Sequence, residues 1–439
     1  MSGPLKRSRV LPAAMVGHGV ESYDFVVYGA SATIIAKHFF PAGDPTLAIL
    51  SSLAVYGLAF VVRPLGAAIF GSIGDRLGRR TALSTVVLIM AVSTAAIAVL
   101  PTYGSVGVLA PILLLICRLA QGISMGAEYT SAASYVMEQA PPGRRGTWLS
   151  AVGSATYIGS ALASFVLLAL RLISKSAYGD WSWRLAFLAG GLMALVGLYM
   201  RLKLDETQTF QELESAGETA LRPIRDTFRN WRVFLLLFTM FALLAVVVHN
   251  LLGYLPTYLT TTGGVSADTV LVSGGVALLV CAVLCLPAGI AADRVGRKPV
   301  LVVGVAVAIV GSLPAYLMAS GDTLASTLAT QIILVIPAAL VTVGSTVVAV
   351  ELVTARIRAT STALAYNVAY AIFGGTAPIL GALLTGWFGR LAPGGYITAL
   401  AVVALVVVVV ALPETRTPER AADEARAADE ARAADEVLR

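Results

Sequence analysis

Twelve runs of roughly 18 to 30 mostly apolar residues follow one another along the 439-residue chain, and no soluble fold buries so many. They cover approximately 10–36, 46–70, 82–100, 106–137, 147–173, 184–201, 232–259, 268–291, 299–320, 324–350, 360–388 and 394–413. Each is near the ~20 residues that an α-helix needs to cross a hydrocarbon core. Charged residues make up 13% of the chain, against roughly 25% in an average soluble protein. Mean hydropathy is +0.83, so apolar surface must face lipid. The expectation is an all-α membrane protein of twelve transmembrane helices.

The net charge of +6 does not point to nucleic acid, because of where the charges lie. The N-terminus, every second connection and the tail after Pro413 hold 24 of the 31 Lys and Arg. The opposite side holds Lys37, Arg171, Lys175, Arg184 and Arg390, and only Arg63 and Arg118 remain inside spans. By the positive-inside rule both termini are cytoplasmic, in the cell (inner or plasma) membrane. The first span is too long for a cleaved signal peptide and carries Glu21 and Asp24. The expected organisation is an N-terminal six-helix bundle (1–201), a cytoplasmic linker (202–231) with short amphipathic helices, a C-terminal six-helix bundle (232–413) and a polar tail (414–439). The tail repeats "AADEAR" with period six, which fits neither a heptad nor an apolar stripe and reads as a solvated segment.

One phrase occurs twice. "GSIGDRLGRR" begins at Gly71 and "GIAADRVGRK" at Gly289, 218 residues apart, about half the chain. The spacing implies an internal duplication with one copy per half. Both copies fall at the same mouth, between spans two and three and between spans eight and nine. Gly71, Gly78, Gly289 and Gly296 would let helices approach or turn. Asp75 and Asp293 would pair with an arginine or sit at a helix N-terminus. Arg76, Arg79, Arg294 and Arg297 would anchor the loop. The two phrases then act as matched clasps that lock one state of a two-bundle rocking machine.

Charges inside the membrane are costly, at least about 2.5–3.5 kcal/mol each at the bilayer centre, so each needs a reason. They are Glu21, Asp24, Arg63, Arg118 and Glu128, with His249 as a titratable addition. The second half offers mostly neutral groups: Asn250, Tyr254, Tyr366 and Asn367. "HNLLGYLP" from His249 also reads as a break in the seventh span.

"GVESYDFVVYG" (19–29), "RPLGAAIFGSIGDRLGRR" (63–80) and "RLAQGISMGAEYTSAASYVMEQAPPGRRG" (118–146) resemble the major facilitator superfamily and, within it, the metabolite:proton symporter family. "WSWRLAF" (181–187), "DETQTF" (205–210), "GYLPTYL" (253–259) and "ARIRATSTALAYNVAYAIFGGTAPIL" (355–380) do the same. His18, where a small polar residue is more usual, and Ala186, where proline is common, depart from that pattern. The resemblance implies two bundles around a central cavity. It also implies a proton-coupling pair of an acid in the first span, Asp24, and an arginine in the fourth, Arg118. A carboxylate beside arginine stays ionised, and moving the arginine onto a substrate anion would load a proton. Glu21, one turn before Asp24, is the alternative proton site, and a static Asp24–Arg118 pair is the alternative role. Glu128 is a second relay or gating group, or a packed structural acid. Substrate contacts are expected from Arg63 and Arg118 with Tyr23, Gln121, His249, Asn250, Tyr254 and Asn367. Arg63 could instead snorkel or brace Asp75, and His249 could be structural.

The expected function is proton-coupled import of a small hydrophilic metabolite, an organic acid such as a di- or tricarboxylate. A proline/betaine-type zwitterion is the alternative, although the heptad tail of the osmosensing carriers is lacking. A drug/proton exporter would be expected to carry G-P-x-x-G-G in the fifth span, and that span holds no proline. A non-transporting sensor would be expected to carry a signalling domain. "GISMG" (122–126) matches the nucleophile-elbow pattern G-x-S-x-G, but mid-helix it reads as small-residue packing, so no enzyme is expected. Cys117, Cys281 and Cys285 read as buried apolar residues, and no cofactor or metal is expected. The expected partners are substrate, protons and the bilayer, with the chain as a monomer.

Overall fold

The computed structural model describes residues 4–41, 43, 45–141, 143–203, 215, 222–319 and 323–415. Among them the chain is helical and holds no strand. A lipid-facing backbone must satisfy its own hydrogen bonds, and apolar runs of this length do so as helices. Eleven helices are long and apolar enough to cross a membrane, and they correspond to spans two to twelve. The first span is also helical, Pro4–Ala30 followed by Ala32–Phe39, but His18, Glu21 and Asp24 are polar and buried on it. They dilute the apolar run from which twelve equivalent spans were expected. The outward surface is apolar, as on the last helix, where Val402, Val403, Val406, Val409 and Val410 are exposed.

The second, seventh and eleventh spans are also broken. The second divides into Pro45–Val61 and Arg63–Arg76, with Pro64 in the first turn of the latter. The seventh runs from Trp231–His249 through a π-turn, Asn250–Tyr254, to Leu255–Thr261, at the place the sequence indicates. The eleventh contains a second π-turn, Tyr370–Gly374, between Arg358–Ala369 and Ala377–Phe388. Such bulges widen a helix and recur at functional sites.

Small residues bring helix backbones into contact. A Cβ on Gly66 would lie 1.8 Å from the Ile123 carbonyl oxygen, and one on Gly126 would lie 2.2 Å from that of Arg63. Gly122 meets the Ala59 carbonyl in the same way. The "GISMG" segment therefore packs the fourth span on the second, while Ser124 Oγ donates to its own helix at Gln121 O, 2.8 Å away. Between the halves, the fifth span packs along the eighth, with Ser154 Oγ donating to Ala282 O at 2.7 Å. The second packs on the eleventh, where Ala67 shares an apolar cluster with Ala363 and Leu364.

Of the linker, residues 202, 203, 215 and 222–231 are described. Pro223–Arg229 is a short helix whose Thr227 hydroxyl lies 2.7 Å from that of Ser361 on the eleventh span. The other linker helices anticipated, and the "AADEAR" repeat, lie outside the described residues. The first residue of the tail is structural: Glu414 accepts from the backbone N–H groups of Arg297 (3.0 Å) and Lys298 (3.1 Å), capping the ninth-span helix.

Gly66→Ala must push two helix backbones apart and should destabilise the protein by roughly 1–3 kcal/mol. Gly104→Ala, with nothing within 4 Å of the added Cβ, should be neutral. Thermal unfolding in detergent distinguishes them; equal midpoints would refute the close packing of spans two and four as a source of stability.

Candidate functional site

The first span delivers a row of polar side chains to the centre because His18, Glu21 and Ser22 share one face at helical spacing. They line a small cavity between the halves, with about 40 Å³ open to the centres of water-sized molecules. Arg63, placed there by the break in the second span, donates from Nη2 to Glu21 Oε1 at 2.9 Å. His18 Nδ1 lies 3.2 Å from Glu21 Oε2, and His18 Nε2 lies 2.7 Å from Thr156 Oγ1 on the fifth span. The result is a chain, Thr156–His18–Glu21–Arg63, running across the cavity. The Arg63 guanidinium sits 4.7 Å from the ring centres of both Phe25 and Phe60 and 6.0 Å from that of Tyr370. Its Nε has no hydrogen-bond partner among the described residues. Arg63 therefore neither snorkels nor braces Asp75.

His249 also lines the cavity, edge-on to Phe60 and Tyr370 at 5.0 Å each, with Nδ1 3.1 Å from Ala245 O. The other side chains expected at the substrate are not among those that line it. Tyr23 donates to Ala186 O at 2.9 Å, inside the first half. Asn250 accepts from the Tyr316 hydroxyl, Tyr254 pairs with Thr385, and Asn367 donates to the carbonyls of Gly126 and Ala363. These amides and phenols satisfy helix breaks and helix contacts instead, as buried polar groups must.

Asp24 and Arg118 meet at 2.7 Å, both fully buried and away from the cavity lining. Gln121 belongs to this cluster: it accepts from Arg118 Nη1 at 2.8 Å and donates to Asp24 Oδ1 at 3.0 Å. Thr94 donates to the same Oδ1 at 3.1 Å, and the Tyr28 ring covers the guanidinium at 3.7 Å. The pair thus ties spans one, three and four together.

Glu128 has a partner that the sequence did not suggest. Arg201, which lies at a span end and reads as a loop residue, is 1% exposed, donates from Nη1 to Glu128 Oε2 at 2.8 Å, and reaches Oε1 through Nη2. It also donates to Leu83 O at 3.1 Å. Arg63 and Arg118 are therefore not the only cations inside the bundle. Glu128 is held as a brace between spans three, four and six rather than presented to the cavity. Gly17 of span one lies against this pair: a Cβ there would lie 1.9 Å from Arg201 Nη2.

The duplicated phrases face each other's half. Asp75 Oδ2 accepts from the backbone N–H of Thr360 at 2.9 Å and from its hydroxyl at 2.6 Å. Asp293 accepts from the N–H groups of Gly146 (2.7 Å) and Thr147 (2.8 Å) and from the Thr147 hydroxyl (2.8 Å). Each aspartate thus sits at the N-terminus of a helix in the opposite half, span eleven or span five, where the helix dipole favours a carboxylate. Gly71 and Gly289 permit the approach: their Cβ atoms would come within 3.0 Å of Thr360 Cα and 2.6 Å of Gly146 O. Gly78 (φ 103°) and Gly296 (φ 107°) make the two turns in a region that other residues avoid. Arg76 and Arg294 are exposed, as a surface anchor requires. Arg297 is not: it is buried, with Nε and Nη2 on Glu351 at 3.1 and 2.8 Å. The side chain of Arg79 lies outside the described residues.

Removing one partner of a buried ion pair leaves an uncompensated charge. Arg201→Leu should therefore lower stability by about 3–5 kcal/mol, and adding Glu128→Gln should restore part of the loss. Unfolding of the single and double variants in mixed micelles measures the difference. Independent, additive losses would show that the two side chains are not coupled.

The Major Facilitator Superfamily model matches residues 15–378 and 286–436. The chain is 30% identical over 437 residues to the Proline/betaine transporter of Escherichia coli (strain K12), covering 96% of this chain and 86% of that one. It is 32% identical over 417 residues to the Inner membrane metabolite transport protein YhjE of the same organism, covering 91% and 93%. Among solved structures it is similar to the proton:xylose symporter XylE bound to 6-bromo-6-deoxy-D-glucose, with a TM-score of 0.79, 18% identity, and coverage of 96% and 99%. That likeness is one of fold. The matched residues, the curated relatives and the helical architecture agree, and the chain belongs to the major facilitator superfamily of multi-pass membrane transporters.

Proposed function

We propose that this protein is a proton-coupled symporter of a small zwitterion, with betaine and proline as the type. The observation that carries the reading is the Glu21–Arg63 pair lining the central cavity, with one Arg63 nitrogen unsatisfied. The planar guanidinium grips a carboxylate, and Phe25, Tyr366 and Tyr370 line the same cavity as faces for an ammonium group. Among the described lining residues Arg63 is the one fixed cation, opposite one acid. A di- or tricarboxylate would need more positive charge, so the organic-acid reading gives way to the zwitterion. The proline/betaine transporters among the relatives favour the same choice.

Coupling follows from charge balance. When a substrate carboxylate draws Arg63 away, Glu21 loses its counter-charge, and a proton restores neutrality. Glu21 holds this role rather than Asp24, because the Asp24–Arg118 pair has no side chain on the cavity.

In this reading 1–201 and 232–413 form two bundles that rock about the cavity, with both termini cytoplasmic and the chain acting as a monomer in the cell membrane. The Asp75 and Asp293 caps then close the cytoplasmic mouth and favour the outward-facing state.

Reconstituted protein should accumulate betaine or proline against a gradient and alkalinise the medium as it does so, with citrate and drug-like cations inert. Accumulation of citrate in preference to betaine would sink the zwitterion reading. Arg63→Lys keeps the charge but loses the planar fork, and uptake should fall at least about tenfold, the loss of one charge-assisted hydrogen bond. Wild-type uptake by the lysine variant would exclude Arg63 from carboxylate recognition.

Asp75→Asn should shift the conformational balance by about 1–3 kcal/mol towards the inward-facing state. Cysteines introduced at Ala67 and Ala363, which share an apolar cluster across that mouth, should cross-link more slowly in the variant. Unchanged cross-linking with impaired transport would make the phrase a folding determinant instead of a clasp.

A further inference from the structure

Charge balance requires a proton near Glu21 without saying which atom holds it, and the geometry around His18 is specific. The imidazole is 3% exposed, lines the cavity, and lies between Glu21 Oε2 and Thr156 Oγ1. Its ring lies 4.5 Å from that of Tyr129. A carboxylate only accepts, so Nδ1–H donates to Glu21, and Nε2 accepts from the Thr156 hydroxyl. Nε2 is thus the ring position at which a proton can add, and Thr156 can meet it by turning from donor to acceptor.

We infer that His18 is the proton acceptor of the transport cycle: when Arg63 leaves Glu21 for the substrate carboxylate, a proton from cavity water adds to His18 Nε2, and the imidazolium replaces Arg63 as the counter-charge of Glu21. This rests on the symport reading above. The step makes one N–H bond and breaks none in the protein, and Glu21 stays ionised throughout. The charged and titratable groups around the ring are consistent with it. Glu21 is on its own helix, Arg63 comes from the second span, Tyr129 from the fourth, Tyr157 from the fifth and Tyr366 from the eleventh. Glu128 and Arg201, against the adjacent Gly17, neutralise each other. With Arg63 in place the imidazole faces a cation as well as the carboxylate, and with Arg63 withdrawn it faces the carboxylate alone.

Betaine and proline binding to the purified protein, measured by calorimetry across the pH range, tests the assignment. In wild type the affinity should fall as pH rises through a midpoint, because the substrate-bound state holds one more proton than the free one. In His18→Gln, Glu21 must take the proton itself, and the midpoint should move to lower pH, because a carboxylate is a weaker base than an imidazole. An unchanged midpoint in His18→Gln would overturn the inference and leave the symport reading standing. Binding without pH dependence in wild type would instead remove proton coupling itself. Should His18→Gln fail to fold, infrared difference spectra of wild type with 15N-labelled histidine decide, with the bands assigned through His38→Gln and His249→Gln. Betaine should produce an imidazolium signal from His18; a new protonated-carboxyl signal without it would refute the assignment.

Discussion

The Glu21–Arg63 ion pair is the point on which the rest of this molecule turns. Two more buried acid–arginine pairs, Asp24–Arg118 and Glu128–Arg201, stand behind it in the same half. A lone charge at mid-bilayer costs at least about 2.5–3.5 kcal/mol, so none of these partners can separate unless something replaces it. What distinguishes the pairs is access. Asp24–Arg118 and Glu128–Arg201 each bond to groups of three spans and do not line the cavity. Glu21–Arg63 lines the cavity between the halves. In the proposed cycle a carboxylate and a proton take the vacated places, and that exchange couples the two fluxes.

The duplicated phrases bring the same logic to the mouth of the cavity. In both copies an aspartate accepts from backbone N–H at the start of a helix in the other half, one group for Asp75 and two for Asp293, with a threonine hydroxyl adding a further bond. The contact is charge-assisted and directional, and in the proposed cycle it would hold one arrangement without making it permanent. The copies are not identical in their surroundings. On the second, Arg297 turns inward to Glu351, which also accepts from Thr415 at 2.7 Å, and Glu414 caps the next helix, so the start of the tail is built into that clasp.

Much of this was legible in the sequence. Apolar runs fix helices in lipid, and a repeated phrase half a chain apart fixes the pseudo-symmetry. The seventh-span break at Asn250–Tyr254 and the pairing of Asp24 with Arg118 fall where the residues indicated. The placements that the sequence did not indicate share a cause. Arg201 looks like one more basic residue at a span end, and only the three-dimensional approach of Gly17, Leu83 and Glu128 makes it internal. Tyr23, Asn250, Tyr254 and Asn367 were polar residues in apolar spans and so looked like ligands, yet each closes a hydrogen bond that a broken or crossing helix leaves open. His18 stood out as unusual, but its bridge between Glu21 and Thr156 depends on the packing of spans one and five, which no single span encodes.

Proton uptake on substrate binding tests the coupling claim without transport. Purified protein in weakly buffered solution would be titrated with betaine while pH is recorded, for wild type and for Glu21→Gln. The account predicts that wild type takes up a proton with each substrate bound and that Glu21→Gln binds, if more weakly, without taking up any. Undiminished proton uptake by Glu21→Gln, with loss of that uptake in Asp24→Asn, would contradict it and return the coupling to the sealed pair.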